Sequence, residues 1–285
     1  MQKTLDHSFF DSCWRTYFLP WSPFLCLTMK FLAFDTSTHV MSIAATDGVR
    51  VWQHTGPGGA KSSATLIPAI LALLTEAQLP LSALDAIVFG RGPGSFTGLR
   101  TACSVAQGLA LGAGVKVLPI DTLMALAEEA RYAHASHLST AQALRVTALL
   151  DARMDEMYVQ SYEFRSGICN KIEGCRLIRP ENLLLDLLLD RQLDANTFNG
   201  TLLAGNVFGV YADRLPPGLA GFTCIEALPT ATALLRLAPT LAAAGHCVDA
   251  ALALPLYVRD KVALSTEERD QIKLEKAQAA LLVSP

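Results

Sequence analysis

Two short stretches carry residue types that could handle a phosphate. One is Asp35-Thr36-Ser37-Thr38, an acid followed by three hydroxyl residues at the end of an apolar run. A carboxylate there could meet Mg²⁺, and the hydroxyl and backbone N–H groups of a tight turn could meet phosphate oxygens. The other is Phe89 to Arg100, FGRGPGSFTGLR, with four glycines between an apolar run and an Ala-rich run. A loop of this kind opening a helix aims backbone N–H groups at an anion, and Gly92, Gly94, Ser95, Thr97 and Gly98 are the candidates. Both stretches also have plainer readings. The first is an ordinary Asx or Ser/Thr turn between strands, which the tetrapeptide by itself favours. The second lacks the Gly-Lys-Ser/Thr ending of a Walker A loop, and it also reads as a tight turn in which glycine permits close packing.

No other constellation points to catalysis. GxSxG, HExxH and HxxxH are absent, and the one close histidine pair, His134 and His137, sits in a polar stretch that reads as a solvated loop. The seven cysteines (Cys13, Cys26, Cys103, Cys169, Cys175, Cys224 and Cys247) include no CxxC pair. That points away from a zinc site or a disulfide framework and toward a reducing cytoplasm. The net charge of −3 gives no electrostatic footprint for a nucleic acid, so Arg91, Arg100 and Arg153 read as solvated surface, with phosphate contact only within a larger complex.

The elements that would hold these residues follow from periodicity. FLAFDTS, VMSIAATDG and VRVWQHT read as three strands; SATLIPAILALLTEAQL as a helix capped by Ser62 or Ser63; LDAIVFG as a buried strand entering the glycine loop. A second helix runs to Gly112 or Gly114, followed by strand KVLPI and helix DTLMALAEEARYA. The order then recurs: ALRVTALLDAR, DEMYVQSYEF and KIEGCRLI as strands, PENLLLDLLLD as a helix, NGTLLAGNV and GFTCIEAL as strands, PTATALLRLAPTLAAAG as a helix. The chain thus reads as βββαβαβα followed by a second copy in which a glycine loop stands at the place of the middle helix, with Asp35 matched to Asp151 and VFGRGPG matched to LLAGNVFG. An α/β protein of two domains, 29–135 and 143–262, is expected. After it come the extended PLYVRDKVA and an amphipathic helix over 265–283 with a Ser265-x-x-Glu268 capping box, free to pack back on the first domain.

The first two helices carry more apolar surface than one sheet face demands. Leu66, Ile70 and Leu73 form one stripe, with Ile67, Leu71 and Leu74 beside it. In the second helix Ala102, Ala106 and Ala110 recur every four residues, flanked by Cys103 and Gln107, while Val105 and Leu109 would face the sheet. Small residues at that spacing let a neighbouring helix approach closely. Leu66, Ile70, Leu73, Ala102, Cys103, Ala106, Gln107 and Ala110 are therefore candidates for a contact with another chain, and cover by the sister domain is the competing account. On the first account Ala106→Arg abolishes partner binding and leaves the fold intact.

With 51% hydrophobic and 17% charged residues the chain can build a large core. Residues 1–28 differ from the rest: they are aromatic-rich, and Arg15, Pro20 and Pro23 break any signal-peptide core. Met29 directly before a clean strand makes the segment read as an upstream start or a poorly ordered tail.

LAFDTSTHVMSIAA, GRGPGSFTGLRTACSVAQGLA, LLDARMDEMYVQSYE and LPLYVR together resemble the TsaB (YeaZ) family of the actin-like ATPase superfamily. The resemblance covers Met29 to about Val262, and GPGSFTGLR is its most specific part. It implies two RNase H-like domains, each with a mixed five-stranded sheet and helices. It implies an accessory role in making threonylcarbamoyladenosine next to the anticodon of tRNAs reading A-starting codons. TsaD, the paralogue that transfers the threonylcarbamoyl group, would be the direct partner through helices of the N-terminal domain; TsaE would join the assembly, and tRNA would be met indirectly. TsaD-like catalysts carry an NHLEGH-type metal motif; here IDTLMAL places Thr122 and Leu126 where its histidines would be, which implies no metal and no transfer chemistry in this chain. The chain also departs from the family's usual His-Ser pair before the first helix, reading GGAKSSATLIP. No cofactor is expected in the isolated chain; ATP or ADP at the joint with TsaD and TsaE, and self-association through the apolar helix faces, stay open. The competing functions are a stand-alone ATP-binding phosphotransferase or ATPase of the same fold, and a metallopeptidase, which the missing ligands oppose.

Overall fold

Alternation along the first strand already places two covers on the first sheet. In β1 (Phe31–Asp35) every side chain is buried, with Phe31 and Ala33 in one core and Leu32 and Phe34 in another. A strand buried on both faces needs a layer of helices on each side. A computed structural model shows how this is met, and it describes residues 28–134, 143–189 and 201–259. The expected closing helix 265–283, its capping box, His137 and nearly all of the extension 1–28 lie outside the described residues.

The first sheet has the order β3-β2-β1-β4-β5. β2 (Val40–Thr46) and β3 (Val51–Pro57) continue β1 as an antiparallel meander, and β4 (Ala86–Gly90) and β5 (Lys116–Ile120) add in parallel. Helices α1 (Ser62–Ala77) and α2 (Phe96–Ala113) cover one face. Of the expected caps, Gly114 closes α2 in the left-handed conformation at φ 69°. Neither serine caps α1: Ser62 is its first residue, and its hydroxyl donates to the carbonyl of Gly59.

The second sheet repeats the plan with β6 (Leu144–Arg153), β7 (Glu156–Arg165), β10 (Leu202–Gly205) and β11 (Thr223–Glu226). It differs at one edge. KIEGCRLI is not one strand: the chain breaks around Gly174, so β8 (Ile168–Lys171) and β9 (Arg176–Ile178) pair with successive halves of β7. The second sheet therefore has six strands rather than five. Helix α4 (Leu183–Leu189) and the single turn α5 (Val207–Val210) cover its outer face.

The layer between the sheets is exchanged. α3 (Thr122–His134) follows the first sheet in the chain but packs on β6, β7 and β10 of the second. α6 (Ala231–Ala243) follows the second sheet but packs on β1, β2 and β4 of the first, and the two helices pack on each other. One continuous core results, from Phe31 and Val88 through Leu126 and Leu234 to Val146 and Tyr162. Beyond α6 the chain returns to the first sheet as a strap. Val248 bridges to Val117, Ala253 is buried against α2, and the backbone N–H of Leu256 donates to the carbonyl of Arg91 at 2.7 Å.

Candidate functional site

Asp35 ends β1 fully buried, and its carboxylate is occupied. Oδ1 accepts from the backbone N–H of Ser37 at 2.8 Å and from the Ser37 hydroxyl at 2.6 Å, and the Thr122 hydroxyl donates to Oδ2 at 3.4 Å. Behind it stands Gly90, where a Cβ would come within 1.8 Å of Oδ2. Burial pushes the carboxyl above its ordinary value, against the opposing pull of the Ser37 bonds. Asp35→Asn keeps an acceptor for Ser37, offers an N–H to Thr122 and removes the buried charge. A carboxyl whose folded value is raised loses stability as pH climbs from the ordinary range through that value. Asp35→Asn is thus expected to melt above wild type at neutral pH, with the gap closing below about pH 4; calorimetry that finds the gap unchanged with pH would refute this.

The two candidate phosphate stretches are bonded to each other. The Thr36 hydroxyl donates to the carbonyl of Gly98 at 2.7 Å, and the N–H of Ser95 donates to the carbonyl of Ser37 at 2.7 Å. Gly92 adopts φ 120°, its N–H donates to the Thr122 hydroxyl at 3.1 Å, and a Cβ on it would lie 2.5 Å from the carbonyl oxygen of Leu256. Glycine there serves close packing of turn, loop and strap. The nine expected residues accordingly separate. Asp35, Thr36, Gly92 and Gly98 are buried in this junction, where the plainer turn reading describes them. Ser37, Thr38, Gly94, Ser95 and Thr97 line one wall of a cleft of about 1020 Å³ between the lobes.

The opposite wall is the second copy of the same plan. Asp151 Oδ1 accepts from the N–H of Arg153 at 2.8 Å, as Asp35 does from Ser37, and also from the Tyr211 hydroxyl at 2.7 Å. Asn206 Oδ1 accepts from the N–H of Asp151 at 2.9 Å. Gly205 matches Gly90: a Cβ there would come within 1.7 Å of the carbonyl oxygen of Leu149. Burial, then the bond to Asp151, holds the Tyr211 phenol well above its ordinary value, so it stays a donor. Both strand-end acids are therefore engaged within the protein.

The strap supplies the cleft residues that spacing did not single out. Tyr257 packs 5.2 Å from the Phe96 ring, and the Arg100 guanidinium lies 3.8 Å above Phe96 and donates to the Tyr257 hydroxyl at 3.2 Å. Arg259 donates to the carbonyl of Arg153 at 3.2 Å and pairs with Glu156. The extended LPLYVR was a signal, but nothing local says that it returns to α2. Arg91, expected to be solvated, is half-buried and pairs with the buried Asp121 at 2.6 Å, with Lys171 on the same carboxylate. Arg153 stays exposed.

The helix faces are reversed from expectation. Leu66, Ile70, Leu73, Ala102, Cys103, Ala106 and Ala110 are all buried in this chain's own core. The small stripe lies within this core, where α2 packs on β4 and β5 and also touches α1. Gln107 is not free either: its Nε2 donates to the carbonyl of Ala253 at 2.9 Å, and the Cys103 thiol donates to the same oxygen at 3.2 Å. The outward stripe is Ile67 and Leu71 on α1, 43% and 48% exposed; Leu111, near the end of α2, is separately 80% exposed. Thr122 and Leu126 are both buried. Among the described residues no three His, Cys, Asp or Glu side chains are grouped to hold a metal, and no helix is long and apolar enough to cross a membrane.

Residues 54–214 match the family model described as TsaD, tRNA N6-adenosine threonylcarbamoyltransferase. The chain is 31% identical over 237 residues to the tRNA threonylcarbamoyladenosine biosynthesis protein TsaB of Haemophilus influenzae, covering 82% of this chain and 95% of that protein. It is likewise 31% identical to the TsaB protein of Escherichia coli, covering 96% of it. Among solved structures, YeaZ from Pseudomonas aeruginosa is 36% identical with a TM-score of 0.69, over 81% of this chain and all of that one.

Proposed function

The chain belongs to the TsaB family, and from that premise we propose that it is a non-catalytic subunit in tRNA threonylcarbamoyladenosine biosynthesis. In this reading it binds and activates TsaD, which transfers the threonylcarbamoyl group to the adenosine next to the anticodon in tRNAs reading A-starting codons. TsaE joins the assembly, and tRNA is met through the partner. The observation that carries the reading is the likeness to TsaB proteins over nearly their whole length. Two features of the geometry support the accessory role. Asp35 is fully buried, with its carboxylate held by Ser37 and Thr122, and Asp151 accepts from Arg153 and Tyr211, so both strand-end acids have structural partners within the protein. Ile67 and Leu71 on α1 and Leu111 on α2 leave apolar side chains exposed on the helices through which TsaD would dock in this reading.

Gel filtration of the purified chain with TsaD of the same organism tests this: a joint peak at micromolar concentration is expected, and separate elution counts against it. When the chain is alone the same stripe is available for self-association.

One observation favours a second reading. A cleft of about 1020 Å³ lined by Ser37, Thr38, Ser95 and Thr97 matches the upper size of ligand pockets, about 1,000 Å³. ATP or ADP would then occupy it when TsaD and TsaE are joined. Titration calorimetry with ATP-Mg²⁺ separates the readings: the accessory role predicts no isotherm for the isolated chain, and a one-to-one isotherm revives the stand-alone ATPase.

A further inference from the structure

Two lobes facing a cleft commonly close on a ligand about a hinge. Here the elements between the lobes oppose that motion. We propose that α3 and α6, exchanged between the lobes, bolt them into one mechanical unit, so that the cleft keeps a single width with and without its partners. The inference stands apart from the proposed role.

Three sets of contacts carry it. First, each helix buries its apolar face on the sheet that did not lead into it, and the shared core runs unbroken from one sheet to the other. Opening the cleft would expose part of that core. Second, the helices are tied by charge. Arg236 of α6 donates to Glu128 at 2.8 Å and to Glu129 at 2.6 Å, both on α3, and Glu128, itself buried, also holds Arg131 at 2.6 Å. The N-terminus of α6 is seated in the first lobe, where the N–H of Ala231 donates to the Ser42 hydroxyl of β2 at 2.8 Å, and it is tied to α3, where the Thr230 hydroxyl donates to Glu129 at 2.6 Å. Charge-assisted hydrogen bonds of this kind, centred on the buried Glu128 and otherwise partly buried, have well-defined geometry. Third, the strap crosses from lobe to lobe. It leaves β5 at Val248, is held at Arg91 through Leu256, and reaches the β6–β7 hairpin through Arg259.

Electron-electron spin resonance on the full chain tests this, with labels introduced through non-cysteine handles at the exposed Lys61 and Val210 on opposite cleft walls. The expected result is one narrow distance distribution that does not move on adding ATP-Mg²⁺ or TsaD. Two populations, or a displacement of several ångströms with either addition, would overturn the proposal. Native-state hydrogen exchange in rising urea provides a reading without labels. Amides of β1 and β10 are expected to merge on one opening isotherm; opening of β10 at lower urea than β1 would also overturn it. Ser42→Ala, which deletes one seat of α6, is expected to accelerate exchange in both strands by the same factor, and acceleration in one alone contradicts the bolt.

Discussion

Gly98→Ala is expected to lower stability by about 3 kcal/mol or more, a large effect for one methyl group. A Cβ at this position would lie 1.9 Å from the carbonyl oxygen of Thr36 and 2.9 Å from its carbonyl carbon. Both obstacles are backbone, buried under α2, so no side-chain rotation relieves them. The clash also falls where the Thr36 hydroxyl donates to the carbonyl of Gly98, so the Asp35–Thr38 turn is pushed off the helix start and Asp35 loses its packing. Gly108→Ala in the same helix is the control. It has nothing within 4 Å of the added Cβ and is exposed, so the substitution is expected to gain up to about 1 kcal/mol from helix propensity. Urea denaturation separates the two, and equal midpoints for Gly98→Ala and wild type would show that the turn and the helix are not packed as described.

The second large effect is a contrast between two arginine substitutions. Leu71→Arg lies on the outward stripe and is expected to shift stability by no more than about 0.5 kcal/mol, as other surface changes do. Under the proposed docking it weakens TsaD binding about 30-fold or more, the scale of losing an interface hot spot of about 2 kcal/mol. Ala106→Arg does the reverse of what its spacing suggests. Ala106 is fully buried between α2 and the sheet, so the guanidinium has neither space nor a counter-ion and the chain is expected not to fold. Circular dichroism and gel filtration with TsaD on both variants check the pair. A folded Ala106→Arg protein, or a Leu71→Arg protein with undiminished affinity, would refute this assignment of faces.

That reversal marks the limit of what periodicity can say. The recurrence of Ala102, Ala106 and Ala110 shows that these residues share a face, but not which face meets the sheet, because close approach serves a sheet as well as a helix. The cover over Gln107 and Cys103 comes from Ala253, about 150 positions along the chain, and no local pattern encodes it. The same holds for the exchange of α3 and α6: element order was legible, but the side of the cleft on which each helix ends is decided by the shared core. What sequence did convey is the duplication. Asp35 and Asp151 each accept from the N–H two residues on, and Gly90 and Gly205 each sit where a Cβ has no room. Paired special residues survive in a repeat because the same backbone geometry demands them in both copies. The reading of KIEGCRLI as one strand failed because Gly174 divides it into two short segments along β7.

The most direct test of the account is mass spectrometry of nucleosides from bulk tRNA after depletion of this protein. Threonylcarbamoyladenosine is expected to fall severalfold, to return with the wild-type chain, and not to return with Leu71→Arg. An unchanged level in depleted cells would contradict the proposed role.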